Sequence, residues 1–190
     1  MNFFSRFFKK RQNKKFTNVN NIVNVIEEYR SYDIDTPLFS LKGQKGFCRL
    51  VDVYDGDTAK VVLDVFGNKF KFIVRLVGID TCEITSKNED LKIKAIDARN
   101  KILEFAFNKP IANSTTNHKN VQDMLRDDVI IIWIECEEFD KYGRLLANLC
   151  TKEGEISFNK KLIACNLAYE YNGNTKLTET QQLDIFVNTK

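Results

Sequence analysis

Residues 53–83 read VYDGDTAKVVLDVFGNKFKFIVRLVGIDTCE, two alternating apolar segments on either side of the dipeptide Gly67-Asn68. Alternation of this kind predicts two β-strands, and a glycine-asparagine pair between them predicts a two-residue hairpin turn. Arg75 lies on the strand face opposite the phenylalanines, so it need not be buried with them. Because Ile73 on that same face is apolar, we expect both faces to be partly covered, as in a small barrel.

The same stretch carries a set of polar residues that suggests chemistry on phosphate. Asp57 and Asp80 are hard oxygen donors, which suit Ca²⁺ or Mg²⁺. The guanidinium of Arg75, and that of Arg144 further along the chain, can each bind two phosphate oxygens. Glu83 is a carboxylate able to hold or deprotonate a water molecule. Together these groups are what the attack of water on a phosphodiester requires.

Periodicity extends the barrel along the rest of the chain. Apolar runs predict further strands at residues 47–53, 129–136 and 145–150. The clearest helix covers 88–107, and a second covers 156–167. A short third helix is predicted over 179–187, with Thr178 and Gln181 as its capping pair. Five strands with a helix after the third predict an α+β fold, a five-stranded OB-fold β-barrel with about three helices.

Three motifs stand in a fixed order: DGDT at 55–58, R-x4-D-T-x-E at 75–83 and DKYGR at 140–144. In these motifs the chain resembles the staphylococcal-nuclease-like (thermonuclease) family, over about residues 46–171, roughly two thirds of its length. The resemblance implies the same OB-fold barrel.

The resemblance also implies roles for individual residues. In the family, Ca²⁺ is held at the positions of Asp57 and Asp80 and by the backbone carbonyl of Thr81. Asp55 is expected to be structural, tying the turn. The family's catalytic positions correspond to Arg75, Glu83 and Arg144.

Four further residues are expected to bind substrate by the same resemblance. Lys141 and Tyr142 correspond to positions near a terminal phosphate of the nucleic acid. Tyr169 and Tyr171 correspond to a Tyr-x-Tyr pair that lines the nucleotide pocket, where aromatic stacking tolerates any base.

Three departures from the family pattern are visible in the sequence. Cys82 replaces the usual proline between Thr81 and Glu83, so we expect a looser backbone there and a lower rate. The first hairpin is longer than usual, with eighteen positions from Asp57 to Arg75. The closing helix after Tyr171 is short, which we expect to reduce stability more than chemistry.

The expected function is therefore that of a Ca²⁺-dependent endonuclease. By resemblance it cleaves DNA, with RNA as a second candidate, shows little sequence preference and leaves 3′-phosphates. The alternative is a non-catalytic OB-fold module that binds nucleic acid or a protein.

Charge is distributed unevenly along the chain. The first fifteen residues carry six of the 29 basic side chains and no acidic one, so the remainder is acidic by three. A strong global field for nucleic acid is therefore not expected. Residues 1–16 alternate phenylalanine pairs with basic residues, and three interpretations stay open: an interfacial membrane anchor, a basic arm on nucleic acid, or a solubilising tail.

We expect three regions in the chain. Residues 1–45 form an N-terminal extension with a short amphipathic helix over 18–32. Residues 46–172 form the nuclease-like domain, and 173–190 form a polar tail. Within the domain, 108–128 are rich in asparagine and threonine, which predicts a surface insertion.

Five cysteines, with no C-x2-C pair, argue against a disulfide framework and a zinc site, and favour a reducing compartment. No segment resembles a secretory signal or a membrane span, so we expect a cytoplasmic monomer. The lone His118 falls in the asparagine-rich insertion and is expected to be a solvated loop residue.

Overall fold

The structure is a computed structural model that describes residues 19–111 and 117–188. The chain divides into two compact units, Met1–Phe39 and Ser40–Lys190. The aromatic and basic residues 1–16, for which three roles were considered, lie outside the described residues.

The N-terminal unit contains one helix, α1 (Val19–Tyr29), within the part described. It confirms the helix predicted over 18–32, and its apolar side chains Ile22 and Ile26 are exposed. The chain turns soon after α1, where the N–H of Thr36 donates to the carbonyl of Asp33 at 3.1 Å.

The second unit is built on a barrel of five strands: β1 (Lys45–Val53), β2 (Thr58–Val65), β3 (Asn68–Leu76), β5 (Ile130–Phe139) and β6 (Leu145–Cys150). The barrel closes in the order β1-β2-β3-β6-β5, and only the β3–β6 pair is parallel. Alternate residues point inward and are buried, among them Leu50, Val61, Ile132 and Leu145. This is the α+β, OB-like barrel that the sequence predicted.

The β2–β3 hairpin turns one residue earlier than the sequence predicted. Val65 pairs with Asn68, so the two turn residues are Phe66 and Gly67. Both have positive φ, 53° and 75°, as a type I′ turn requires. Asn68 therefore begins β3 instead of lying in the turn. The exposed Phe66 joins Gly67 as the second turn residue.

Helix α2 (Glu89–Phe107) covers one side of the barrel and confirms the helix predicted over 88–107. The side chain of Asn88 accepts hydrogen bonds from the first turn, and Asn108 ends the helix in the left-handed region. Ala98, Ile102 and Leu103 are fully buried in the barrel core.

The segment 108–128, expected to be a surface insertion, contains a helix that the sequence did not predict. Most of its described part is a helix, α3 (His118–Asp127), whose Val121 and Leu125 are buried in the main core. The two apolar residues are four apart and share one helix face, but the surrounding polar residues hid this short pattern.

His118 is likewise not a solvated loop residue. Its Nε2 lies 2.7 Å from Oδ1 of Asp52 in β1, and its ring packs edge-on against Tyr54. Burial raises the pKa of Asp52, but hydrogen bonds from Lys60 and His118 outweigh it and the net pKa is lowered. Asp52 therefore ties the start of α3 to the barrel.

Two short strands and two short helices complete the unit: β4 (Ile79–Asp80), β7 (Tyr169–Glu170), α4 (Phe158–Ala164) and α5 (Glu179–Phe186). β4 and β7 pair antiparallel, with Asp80 opposite Tyr169. Helix α5 has the predicted Thr178–Gln181 capping box. Its Phe186 is buried against Cys82 and α2, so the predicted tail is part of the compact body.

The described residues thus contain five helices, where the sequence suggested about three; the additional ones are α1, assigned to the extension, and α3. None of the helices in the described ranges is both long and apolar enough to cross a membrane.

Candidate active site

A cleft of about 600 Å³ opens where several turns of the barrel unit meet. It lies between the turn before β2, the end of β3, the β5–β6 turn and the segment after β7. Three of the predicted site residues do not line the cleft. Asp80 and Thr81 lie behind it, bonded to Arg75 and Asp57 respectively, and Tyr169 is bonded to Asp80. The others line the cleft: Asp57, Arg75, Glu83, Lys141, Tyr142, Arg144 and Tyr171.

Asp57 and Asp80 meet on the guanidinium of Arg75. Asp57 directly precedes β2 and Asp80 ends β4, which places both carboxylates beside the end of β3. Nη2 of Arg75 donates to Oδ1 of Asp80 at 2.5 Å, and Nη1 contacts Oδ1 of Asp57. All three side chains are buried, and the ion pairs with Arg75 offset part of the cost of removing the two carboxylates from water.

The burial of Arg75 differs from the expectation based on strand alternation. Arg75 does lie on the face opposite the buried Val74, as predicted. However, that outer face is covered by Asp57 and by β4, whose Ile79 carbonyl also accepts a hydrogen bond from Arg75 at 3.2 Å. The cover comes from residues outside β3, which alternation within one strand does not reveal.

The β1–β2 turn contacts Thr81 closely. The N–H and the hydroxyl of Thr81 both donate to Oδ2 of Asp57, at 3.3 and 3.2 Å. A Cβ on Gly56 would lie 2.5 Å from Cβ of Ala98 and 2.9 Å from Cγ2 of Thr81. Glycine is therefore required at this point of the DGDT motif for the turn to approach Thr81 and α2.

Asp55 supports this turn from within. Its Oδ1 accepts the N–H of Asp57 at 3.2 Å. Burial raises the pKa of Asp55 to about 6, with the charge of Glu83 acting in the same direction and that of Arg75 against it. Burial is thus the main reason why the charged form of the Asp55 carboxyl is disfavoured, and the neighbouring charge of Glu83 adds to the effect.

Lys176 is a residue of the cleft that the sequence did not reveal. Its Nζ lies 2.9 Å from Oδ1 of Asp80 and 2.9 Å from Oε1 of Glu83. Burial lowers the pKa of Lys176, but the bonds to Glu83 and Asp80 outweigh it and the net pKa is raised. No local motif marks this lysine, because only the pairing of β4 with β7 brings its segment to the carboxylates.

The two predicted tyrosines lie in different places. Tyr171 lines the cleft, and its hydroxyl donates to the carbonyl of Asn174 at 2.7 Å. Tyr169 does not line the cleft; its hydroxyl donates to Oδ2 of Asp80 at 2.5 Å, and its ring packs near Phe186. Burial and the bond to Asp80 both raise the pKa of Tyr169.

The DKYGR turn presents Arg144 across the cleft. Oδ1 of Asp140 accepts the N–H groups of Tyr142 and Arg144, each at 2.9 Å, while Oδ2 accepts Nε of Arg144 at 2.7 Å. Burial raises the pKa of Asp140, but these bonds outweigh it and the net pKa is lowered. The guanidinium lies 5.5 Å from the exposed ring of Tyr142, with Lys141 on the same turn.

Cys82, which stands between Thr81 and Glu83, is buried. It packs with Leu91 and Ala95 of α2 and with Phe186 of α5. Burial raises the pKa of its thiol to about 11, so it is a packing residue rather than an ionised ligand.

Asp57, Asp80 and Glu83 carry carboxylate oxygens, the kind of ligand that a hard divalent cation prefers, but in this structure they pair with Arg75 and Lys176. Asp57 and Asp80 both pair with the guanidinium of Arg75. Asp80 and Glu83 both pair with the ammonium of Lys176. Each of the three carboxylates therefore already has a cationic partner. Within residues 19–111 and 117–188, no three Asp, Glu, His or Cys side chains form a ready ligand group. Backbone oxygens and water would supply the other ligands, as Ca²⁺ readily accepts.

Comparison with known proteins identifies the family of the chain. The family model described as staphylococcal nuclease homologue matches residues 73–188. The matched range begins in β3 and includes Arg75, Glu83, the DKYGR turn and Lys176. No curated protein matches the chain.

Proposed function

This chain belongs to the staphylococcal nuclease homologues, and on that premise we propose that it is a Ca²⁺-dependent endonuclease acting on DNA, with RNA as a second substrate. The observation that supports this proposal is the grouping of two arginines and three carboxylates at one cleft. Arg75 of β3, Arg144 of the β5–β6 turn, Asp57 and Glu83 line it. Asp80 contacts Arg75 from the interior. A family of related folds can host different functions, so the proposal rests on these side chains rather than on the barrel.

Each group has a distinct role in the proposed reaction. Asp57, Asp80 and the carbonyl of Thr81 hold the Ca²⁺, which when bound polarises the phosphoryl group. Arg75 and Arg144 bind the phosphate oxygens and stabilise the negative charge of the transition state.

Glu83 orients the attacking water or accepts its proton. The water oxygen bonds to phosphorus and its proton passes to Glu83 or to solvent, while the bond to the 5′-oxygen breaks and that oxygen takes a proton from solvent, leaving a 3′-phosphate and a 5′-hydroxyl. Glu83 suits this role because it is the exposed carboxylate of the group, whereas Asp57 and Asp80 are buried. In this proposal Lys141, Tyr142 and Tyr171, which line the cleft, contact the rest of the nucleic acid.

The replacement Glu83→Gln separates an enzyme from a binding module. It keeps the side chain's size but removes the base, so cleavage of a labelled oligonucleotide in Ca²⁺ is expected to fall by about 10²–10⁴-fold. Binding of the same oligonucleotide should be retained. Glu153→Gln, at an exposed residue of the turn after β6, is the matched control and should cleave like the parent. Unchanged cleavage by Glu83→Gln would reject its role in the reaction.

A further inference from the structure

Two cationic side chains of the protein, Arg75 and Lys176, pair with the carboxylates of the cleft, but they differ in exposure and in attachment to the fold. Arg75 is part of β3, and its side chain is only 9% exposed. Lys176 follows β7, and its side chain is 46% exposed. A flexible four-carbon stem lets an ammonium withdraw into solvent without disturbing a strand. Lys176 is therefore the cation that can leave the carboxylates.

The backbone beside Lys176 is fixed by the same network that fixes Asp80. The N–H of Leu177 donates to the hydroxyl of Tyr169 at 3.2 Å, and this hydroxyl donates in turn to Asp80. The carbonyl of Leu177 accepts Nε2 of Gln182 at 3.0 Å, which ties the segment to α5. The ammonium is thus delivered to Asp80 and Glu83 by the fold rather than by a freely moving tail.

We propose that Lys176 is a built-in competitor of the divalent cation, occupying Asp80 and Glu83 in the metal-free protein and withdrawing when the cation binds. This inference rests on the proposed function for the identity of the metal site. A ligand's apparent affinity falls in proportion to the fraction of molecules whose site is accessible to it. Lys176 therefore weakens metal binding, and its withdrawal also frees Glu83 to contact water.

Calorimetric titration of Ca²⁺ into the full-length chain, without nucleic acid, tests the competition. Lys176→Met removes the ammonium but keeps an unbranched side chain, and the Kd for Ca²⁺ is expected to fall by about tenfold. Lys176→Gln is a second neutral variant and should show the same direction. Lys176→Arg keeps a cation and should stay within about threefold of the parent.

Two controls make the result specific. Lys69→Met removes an equal charge from the exposed pair with Asp64 at the far end of β3, and should leave the Kd unchanged. Asp80→Asn should abolish the heat of Ca²⁺ binding, which would show that this heat arises at the proposed site.

The possible failures are distinguishable. If the parent binds Ca²⁺ and both neutral Lys176 variants bind it equally or more weakly, the competition is rejected while the proposed function stands. If neither the parent nor the Lys176 variants bind Ca²⁺ while their circular dichroism shows folded protein, both proposals are rejected.

Discussion

Gly56 shows at the scale of one residue how the DGDT motif serves the site. Its backbone passes so close to Ala98 and Thr81 that no side chain fits between them. The turn thereby brings Asp57 to the N–H and hydroxyl of Thr81. An ordinary turn would also use Asp and Gly, so the motif's chemistry lies in this contact rather than in the turn itself.

Gly56→Ala is expected to destabilise the protein by about 1–3 kcal/mol, because the added methyl would overlap Ala98 and Thr81. Gly46→Ala is the matched control, since a Cβ there meets nothing within 4 Å. Urea unfolding of the two variants gives the difference in free energy of unfolding. Equal stability of the two variants would contradict the close contact.

At this scale the sequence predicted which residues gather but not how they are paired. Asp57, Arg75 and Glu83 were identified from their motifs, and the structure brings all three to one cleft. The burial of Arg75 depends on β4, and the position of Lys176 beside Asp80 and Glu83 depends on the pairing of β4 with β7. Each of these strands is only two residues long. Strands this short leave no periodicity in a sequence.

Helix α3 shows what an element adds to the barrel. It joins the core through Val121 and Leu125, and it is tied to β1 through His118 and Asp52. The sequence predicted a polar surface insertion here because residues 108–128 are rich in asparagine and threonine, and the two buried side chains Val121 and Leu125 are too few to stand out. Long, strongly periodic elements such as α2 were predicted closely, whereas a ten-residue helix with a narrow apolar face was not.

Leu125→Ala is expected to lower the free energy of unfolding by about 2–4 kcal/mol, since the leucine is fully buried and its removal leaves a cavity. Lys119→Ala, at an exposed position of the same helix, should change it by less than about 0.5 kcal/mol. Urea denaturation measures both. If Leu125→Ala lost no more stability than Lys119→Ala, the packing of α3 against the barrel core would be contradicted.

At the scale of the whole molecule, the cysteines act as core residues. Cys48, Cys82, Cys136 and Cys150 are buried, and only Cys165 is exposed. Burial raises the pKa of Cys48 to about 12 and that of Cys136 to about 11. Thiols react as thiolates, so burial protects the four buried cysteines in two ways. It keeps reagents away from the sulfur, and it disfavours the ionised form that reacts.

A thiol reagent such as Ellman's reagent should therefore modify one cysteine rapidly in the native protein and all five after denaturation. The rapid phase should disappear in Cys165→Ser. Rapid modification of two or more thiols in the folded protein would show that the barrel opens more readily than its packing indicates.

Net charge also belongs to the whole molecule, and it does not favour nucleic acid outside the first fifteen residues. Binding must then depend on the local cations of the cleft, such as Arg75, Arg144 and Lys141, rather than on a long-range field.

The most direct test is cleavage of a labelled single-stranded DNA by the purified full-length protein, first in Ca²⁺ and then with a chelator added. We expect cleavage that begins with Ca²⁺, stops with the chelator and leaves 3′-phosphate ends. A folded protein that binds the DNA but does not cleave it in Ca²⁺ would contradict the account and identify the barrel as a binding module.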